Sequence, residues 1–370
     1  MFLRDAFLWC WVAGAASAAA VTSLASPVTI FSPPSSYKIP RVLYARSLLL
    51  KEPTNDNRVI LATWENYSQE PPWFPIYQST DLGRTWKEIS KVHDQVKGWG
   101  LRYQPFLYEL EEPIGDFEAG TLLISGSAIP ADLSQTWIEL YASKDRGRTW
   151  KFVSHIVHGG RAIPNNGETP VWEPFLLVHD KKMVVYYSDQ RDPKKHGQKL
   201  VHQSSKDLIN WETLVQDAAD PDKEGRPGMP TIAELPNGQF IMTYENCGPL
   251  HCRVFYRLAN DPTRFDRAKE ITLKATDGTI PNGSPYVVWT RAGGPQGTIV
   301  VSSGDRSEVF INRNLGAPGS AWIKTATPAS KSYTRSLMVM PNENDILIVG
   351  GGVLNGTRNS VTAVAIDVSR

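Results

Sequence analysis

Ser79-Thr80-Asp81-Leu82-Gly83-Arg84-Thr85-Trp86 and Ser143-Lys144-Asp145-Arg146-Gly147-Arg148-Thr149-Trp150 share the frame S-x-D-x-G-R-T-W. Six of the eight positions are identical, and the copies lie 64 residues apart, which marks a repeat architecture. Each reads as a hairpin. The Asp side chain accepts backbone N–H groups inside the turn, the Gly takes φ > 0, and the Trp opens the next strand. A decayed third copy, Ser205-Lys206-Asp207-Leu208-Ile209-Asn210-Trp211, follows, and the spacing continues faintly through Phe265 and Trp322. The markers at 86, 150, 211, 265 and 322 differ by 64, 61, 54 and 57 residues, so the chain has room for six such units.

Working outward from these turns, short apolar runs recur instead of any long 3.6-residue period. They are Val59–Thr63, Thr121–Ser125, Met183–Tyr187, Phe240–Tyr244, Thr298–Ser302 and Ile346–Val349, each bounded by turn-forming residues. These read as the second strands of six blades, behind inner strands near 39–48, 103–110, 172–179, 229–235, 284–290 and 334–340. An all-β, six-bladed propeller of four-stranded antiparallel blades is expected, forming a single domain over 26–370. Val28–Phe31 would supply the outer strand of the last blade and close the ring.

Residues 1–25 read as a secretory signal, with Arg4 in a short basic region, an apolar stretch from Ala6 to Ala20, and small residues at Ala16-Ser17-Ala18. The mature chain is therefore expected to be secreted. Cys10 would leave with the signal; Cys247 and Cys252 are then an even pair in an oxidising compartment, expected to be bridged. Sequons at Asn66, Asn282 and Asn355 fit a glycoprotein. Thirty-nine basic against thirty-eight acidic residues give a net charge of +1, which argues against nucleic acid, a membrane surface or a strongly anionic polymer as partner. A monomer is expected. No zinc spacing, P-loop, dinucleotide fingerprint or G-x-S-x-G elbow occurs, so no cofactor and no metal is expected. His155 and His158, three apart on one strand, are expected on opposite faces, as surface residues.

In a propeller, inner-strand starts and second-strand ends converge on one face. Phase-equivalent segments there are Trp64-Glu65-Asn66, Ser188-Asp189-Gln190-Arg191, Tyr244-Glu245-Asn246 and Gly304-Asp305-Arg306, facing Lys38 to Arg41, Arg102-Tyr103-Gln104, Trp172-Glu173-Pro174 and Tyr333-Thr334-Arg335. Glu173 sits in an otherwise apolar strand, an environment that disfavours the anion and suits a general acid. Glu245 ends an apolar strand next to the Cys247–Cys252 loop, which suits a nucleophile that must be held still. Glu65, in Thr63-Trp-Glu-Asn66, repeats the frame of Thr243-Tyr-Glu-Asn246 and joins the pocket candidates. Trp172 and Tyr244 flank the two glutamates and, with Asp189, Asp305, Arg335 and Lys38, complete the candidate substrate contacts. Asp189 and Asp305 each have an arginine close in sequence, which makes them hydroxyl binders or ion pairs.

The octapeptide resembles the Asp-box of sialidases and other propeller glycosidases. The paired boxes, Val171-Trp-Glu-Pro174, Thr243-Tyr-Glu-Asn246 and the 72-residue separation of Glu173 from Glu245 resemble the exo-α-1,5-L-arabinanases of glycoside hydrolase family 93, over essentially the whole mature chain. That resemblance implies release of arabinobiose from the non-reducing end of linear arabinan with retention. It implies Glu173 as acid/base, Glu245 as nucleophile, and Tyr333 near the reacting sugar. Two alternatives stand beside it. Ser36–Pro40 looks like the Arg-Ile-Pro element of sialidases, with Tyr333 at the place of their nucleophile; yet Lys38 replaces the carboxylate-clamping arginine with a point charge. A non-catalytic carbohydrate-binding propeller is the other.

Overall fold

In a computed structural model, residues 26–51 and 58–370 are described; the expected signal and Cys10 lie outside them. Strand β1 (Val28–Phe31) precedes the first blade, β2 (Val42–Leu49), β3 (Ile60–Asn66), β4 (Phe74–Ser79) and β5 (Lys87–Val92). The second is β6 (Leu101–Glu109), β7 (Leu122–Ala128), β8 (Thr136–Ser143) and β9 (Lys151–Gly159). The third is β10 (Val171–His179), β11 (Lys182–Asp189), β12 (Lys199–Ser205) and β13 (Val215–Ala219). The fourth is β14 (Arg226–Glu234), β15 (Phe240–Cys247), β16 (Arg253–Ala259) and β17 (Ile271–Thr272). The fifth is β18 (Tyr286–Thr290), β19 (Thr298–Ser302), β20 (Val309–Asn312) and β21 (Ile323–Thr325). The sixth holds β22 (Arg335–Val339), β23 (Asp345–Gly350) and β24 (Val361–Asp367), with β1 as its outer strand. Val28 pairs with Ala363 there, so the two ends of the described chain close the ring. Among the described residues no helix is long and apolar enough to cross a membrane.

The Asp-boxes join the third and fourth strands. Asp81 Oδ1 accepts the Thr85 amide at 2.9 Å and the Ser79 hydroxyl at 2.8 Å; Asp145 does the same with Thr149 and Ser143, each at 2.8 Å. Gly83 and Gly147 have φ of 88° and 85°, which only a residue without Cβ adopts at little cost. The boxes also staple blades together. Trp150 Nε1 reaches Ser90 Oγ of the preceding blade at 3.1 Å, and Trp211 Nε1 reaches Ser154 Oγ at 3.1 Å.

One irregularity recurs on the inner strands of the first four blades. The register slips between Leu43 and Arg46, Tyr103 and Phe106, Trp172 and Phe175, and Gly228 and Thr231. Within each slip one non-glycine residue has positive φ: Tyr44 (50°), Gln104 (55°), Glu173 (63°) and Met229 (55°), with Ser284 (47°) at the fifth blade. In four of the five a proline follows (Pro105, Pro174, Pro230, Pro285), and its missing N–H is no loss where the ladder is already interrupted. Bulges of this kind re-aim side chains beside sites. In blade one the expected start at Lys38–Arg41 is displaced. Pro40 has no amide to pair and Arg41 has φ of 74°, so the strand begins at Val42 and Tyr44 takes the phase-equivalent place.

A bulge also corrects the reading of the two histidines. Ile138 pairs with Val157 and Glu139 with His155, an extra residue that brings His155 and His158 to the same side. Both rings lie against Trp137, at 4.5 and 4.8 Å, and His155 is half-buried with Nε2 3.0 Å from Glu139.

Candidate active site

Two of these re-aimed residues, Gln104 and Glu173, line a cavity of about 410 Å³. Glu173, Glu245, Glu65, Trp172, Tyr333 and Cys247 all face it. Sharp local geometry puts Trp172 and Glu173 there together: strict alternation would send neighbours to opposite faces, and the bulge at Glu173 removes that constraint.

Each carboxylate is held by the amide of a positive-φ residue one blade further on. The Gln104 N–H donates to Glu65 Oε1 at 3.0 Å, the Met229 N–H to Glu173 Oε2 at 2.8 Å, and the Ser284 N–H to Glu245 Oε2 at 2.6 Å. Glu173 Oε2 also accepts the Ser188 hydroxyl at 2.6 Å, and Glu65 Oε2 accepts the Tyr67 hydroxyl at 2.9 Å. Gly228, the cross-strand partner of Glu245, lies against Glu173: a Cβ there would stand 3.4 Å from Glu173 Oε2 and 2.6 Å from Gln198 Nε2. The two glutamates are thus set across a glycine that keeps the gap open.

Burial is the largest influence on all three acids and pushes each upward. Glu65 and Glu245 are pushed up to about 7, and the charge of Glu173 adds to the shift of Glu245. Arg226, at the cavity wall, pulls Glu173 and Glu245 the other way. Its guanidinium is fixed by Asn166 Oδ1, Gln190 Oε1 and Gln198 Oε1 at 2.8, 2.9 and 3.1 Å, and Gln190 also holds the Trp172 indole N–H at 2.8 Å. The Cys247–Cys252 bridge is formed, and Cys247 Sγ lies 3.3 Å from Glu245 Oε1. A disulfide sulfur carries no proton, so this is a packing contact. For the same reason the grouping of Glu245, Cys247 and Cys252 has no thiolate to offer a metal.

Other sequence candidates sit elsewhere. Asp189, one residue beyond Ser188, points off the axis by the two-residue period and is clamped by Arg191 at 2.8 and 2.9 Å. Tyr244 is turned away from Glu245 in the same manner, with its hydroxyl between Glu270 and Arg257. Asp305 accepts the Ser303 hydroxyl at 2.8 Å and the Asn282 amide at 3.1 Å and faces Arg306. Arg335 is fully buried and spends its guanidinium on the carbonyls of Ser303, Ser307 and Glu308. Lys38 lies at the exposed rim, 3.1 Å from Glu70, which Arg102 also grips. Sequence reasoning passed over Tyr67, Gln198 and Arg226 as site residues, and did not select Tyr103 and Gln104 although it reached that segment. Gln104-Pro105 repeats the dipeptide pattern of Glu173-Pro174 and was the signal available.

The Fusarium graminearum α-L-arabinofuranosidase of glycoside hydrolase family 93, solved with arabinobiose, is 51% identical over 93% of this chain and 98% of its own, with a TM-score of 0.89. The chain belongs to glycoside hydrolase family 93. A second similar structure, the Penicillium chrysogenum α-L-arabinanase complexed with arabinobiose, is 49% identical over 94% of this chain and 99% of its own, with a TM-score of 0.90. Beyond family 93, the NanB sialidase of Streptococcus pneumoniae shares the fold alone, at 11% identity and a TM-score of 0.59 over 92% of this chain and 70% of that one. No protein-family model matches the chain, and no curated protein matches it.

Proposed function

We propose that this protein is a secreted exo-α-1,5-L-arabinanase that frees arabinobiose from the non-reducing end of linear arabinan with retention of configuration. The observation that carries the reading is the pair Glu173 and Glu245, both buried and both on one cavity across Gly228, in a chain about half identical to enzymes that hold arabinobiose. Glu245 attacks the anomeric carbon while Glu173, kept protonated by burial, gives its proton to the leaving oxygen. Glu173, now an anion, then takes a proton from water as it attacks the glycosyl-enzyme, and the disaccharide leaves. The amides of Ser284 and Met229 hold the two carboxyl groups through both steps. Trp172 and Tyr333 offer apolar faces to the sugar, and Glu65 accepts from its hydroxyls.

A sialidase fits the cavity poorly. Lys38 is at the rim, Arg335 is consumed by backbone carbonyls and the Arg226 guanidinium by Asn166, Gln190 and Gln198, so no free arginine fork is left for a sialic-acid carboxylate. Secretion with glycosylation centres on Asn355, which is exposed, whereas Asn66 is buried in β3 and Asn282 is half-buried. The chain acts as a monomer. Incubation with debranched arabinan and chromatography of the early products tests the reading. Arabinobiose supports it; arabinose alone, a ladder of oligomers, or sialic acid freed from sialyllactose with no product from arabinan overturns it.

A further inference from the structure

Buried cations are rare without a carboxylate partner. Arg46, on β2, is 3% exposed and makes no ion pair among the described residues. Its guanidinium lies 4.0 Å from the ring centre of Tyr44 and 5.1 Å from that of Tyr286. Nη1 donates to the Ala45 carbonyl at 3.0 Å and to Thr334 Oγ1, and Nε has no partner. These contacts lead to Tyr333 by two routes. Thr334 is its chain neighbour; Tyr44 gives its amide to the Tyr333 carbonyl at 2.8 Å and sets its ring edge-on, 6.2 Å away.

Charge gives a second argument. The field of Arg46 favours the anions of Glu65 and Glu173, and Arg226, in the cavity wall, does the same for Glu173 and Glu245. Once Glu65 and Glu245 have ionised, with the catalytic proton still on Glu173, these two anions are balanced by two cations. We propose that Arg46 is a positioning residue, which through Tyr44 and Thr334 fixes the cavity-lining Tyr333 and supplies one of the two positive charges that balance the cavity's glutamates. This rests on the glycosidase reading. A cation confined between two aromatic faces is stabilised without a carboxylate, and so its charge stays available to the groups above it.

The test compares R46M, R46K and T334V on arabino-oligosaccharides across pH. The titratable groups near Arg46 are Tyr44, Tyr286, Glu65 and Glu173. Without the cation Glu173 holds its proton to higher pH, so R46M should move the alkaline limb of kcat/KM upward and lower kcat by about tenfold or more with KM changed little. R46K keeps the charge and should leave the limb in place with kcat still reduced; T334V should lower kcat without moving the limb. R46M with an unmoved limb, or R46K and T334V both within about twofold of the parent kcat, overturns the proposal. Should R46M fail to fold, R46K and T334V decide it alone. If the parent chain itself releases nothing from arabinan, the glycosidase reading falls instead. A pH titration of tryptophan emission, to which Trp172 contributes, then reads the R46M shift without turnover; coincident parent and R46M titrations contradict the role.

Discussion

Replacing Glu65 by Gln should stabilise the protein at alkaline pH and change little at acid pH. Glu65 is 2% exposed, and its carboxyl titrates near 7 in the folded chain against the 4.5 of an ordinary glutamate. A folded pKa raised in this way confers stability fully present below the unfolded value and lost as pH rises through the folded one. The window is therefore about 4.5 to 7. Moving the carboxyl from 4.5 to about 7, at about 1.36 kcal/mol per tenfold change in proton affinity, corresponds to about 3 kcal/mol, an upper bound because the site can relax or admit water. Gln keeps both hydrogen bonds: its oxygen accepts the Gln104 amide and its NH₂ turns to the Tyr67 oxygen. Unfolding entropy of about 2.1 cal/mol/K per residue makes that worth about 4 °C in Tm for a chain of this length. Calorimetric melts of parent and E65Q at pH 4.5, 6 and 8 read it. The gap should open steadily with pH in favour of E65Q. An E65Q that melts at or below the parent at pH 8, or a gap equal at all three values, refutes the claim that burial dominates this carboxyl.

Other substitutions address the remaining parts. Glu173→Ala should lose at least about a hundredfold in kcat on arabinan, with azide restoring turnover of an activated arabinobioside, whereas Glu245→Ala should stall before any glycosyl-enzyme forms. Glu173→Gln removes the proton whose loss sets the alkaline side, so on an activated substrate the alkaline limb should disappear while the acid limb, set by Glu245, stays in place. Asp145→Ala strips the second Asp-box of its central acceptor and should cost about 1–2 kcal/mol in denaturant unfolding with kcat unchanged. Expression in a glycosylating host should load Asn355 and leave buried Asn66 bare, read by mass spectrometry of glycosidase-treated peptides.

The Asp-box turns made the blade count legible because their hydrogen bonds are local: Asp145 to Thr149 spans four residues. Second-strand ends were legible for the same reason, and period two carried Glu65 and Glu245 to the axis. Phase, by contrast, breaks wherever a bulge adds a residue, and bulges are set by packing between blades that no single segment encodes. Blade one shows this in the shift from Lys38–Arg41 to Tyr44, and β9 shows it in the two histidines that share Trp137. Asp189, Tyr244 and Arg335 lie in the right segments but face the wrong way, since one residue along a strand reverses the side chain. Arg226 was invisible because its role depends on Asn166, Gln190 and Gln198 from the neighbouring blade.

The most direct measurement is the covalent one. Glu173→Ala incubated with an activated arabinobioside should accumulate a glycosyl-enzyme, and peptide mass spectrometry should find one arabinobiosyl unit on the peptide that carries Glu245. No adduct, or an adduct on Tyr333 or Glu65, would contradict the division of roles between Glu173 and Glu245.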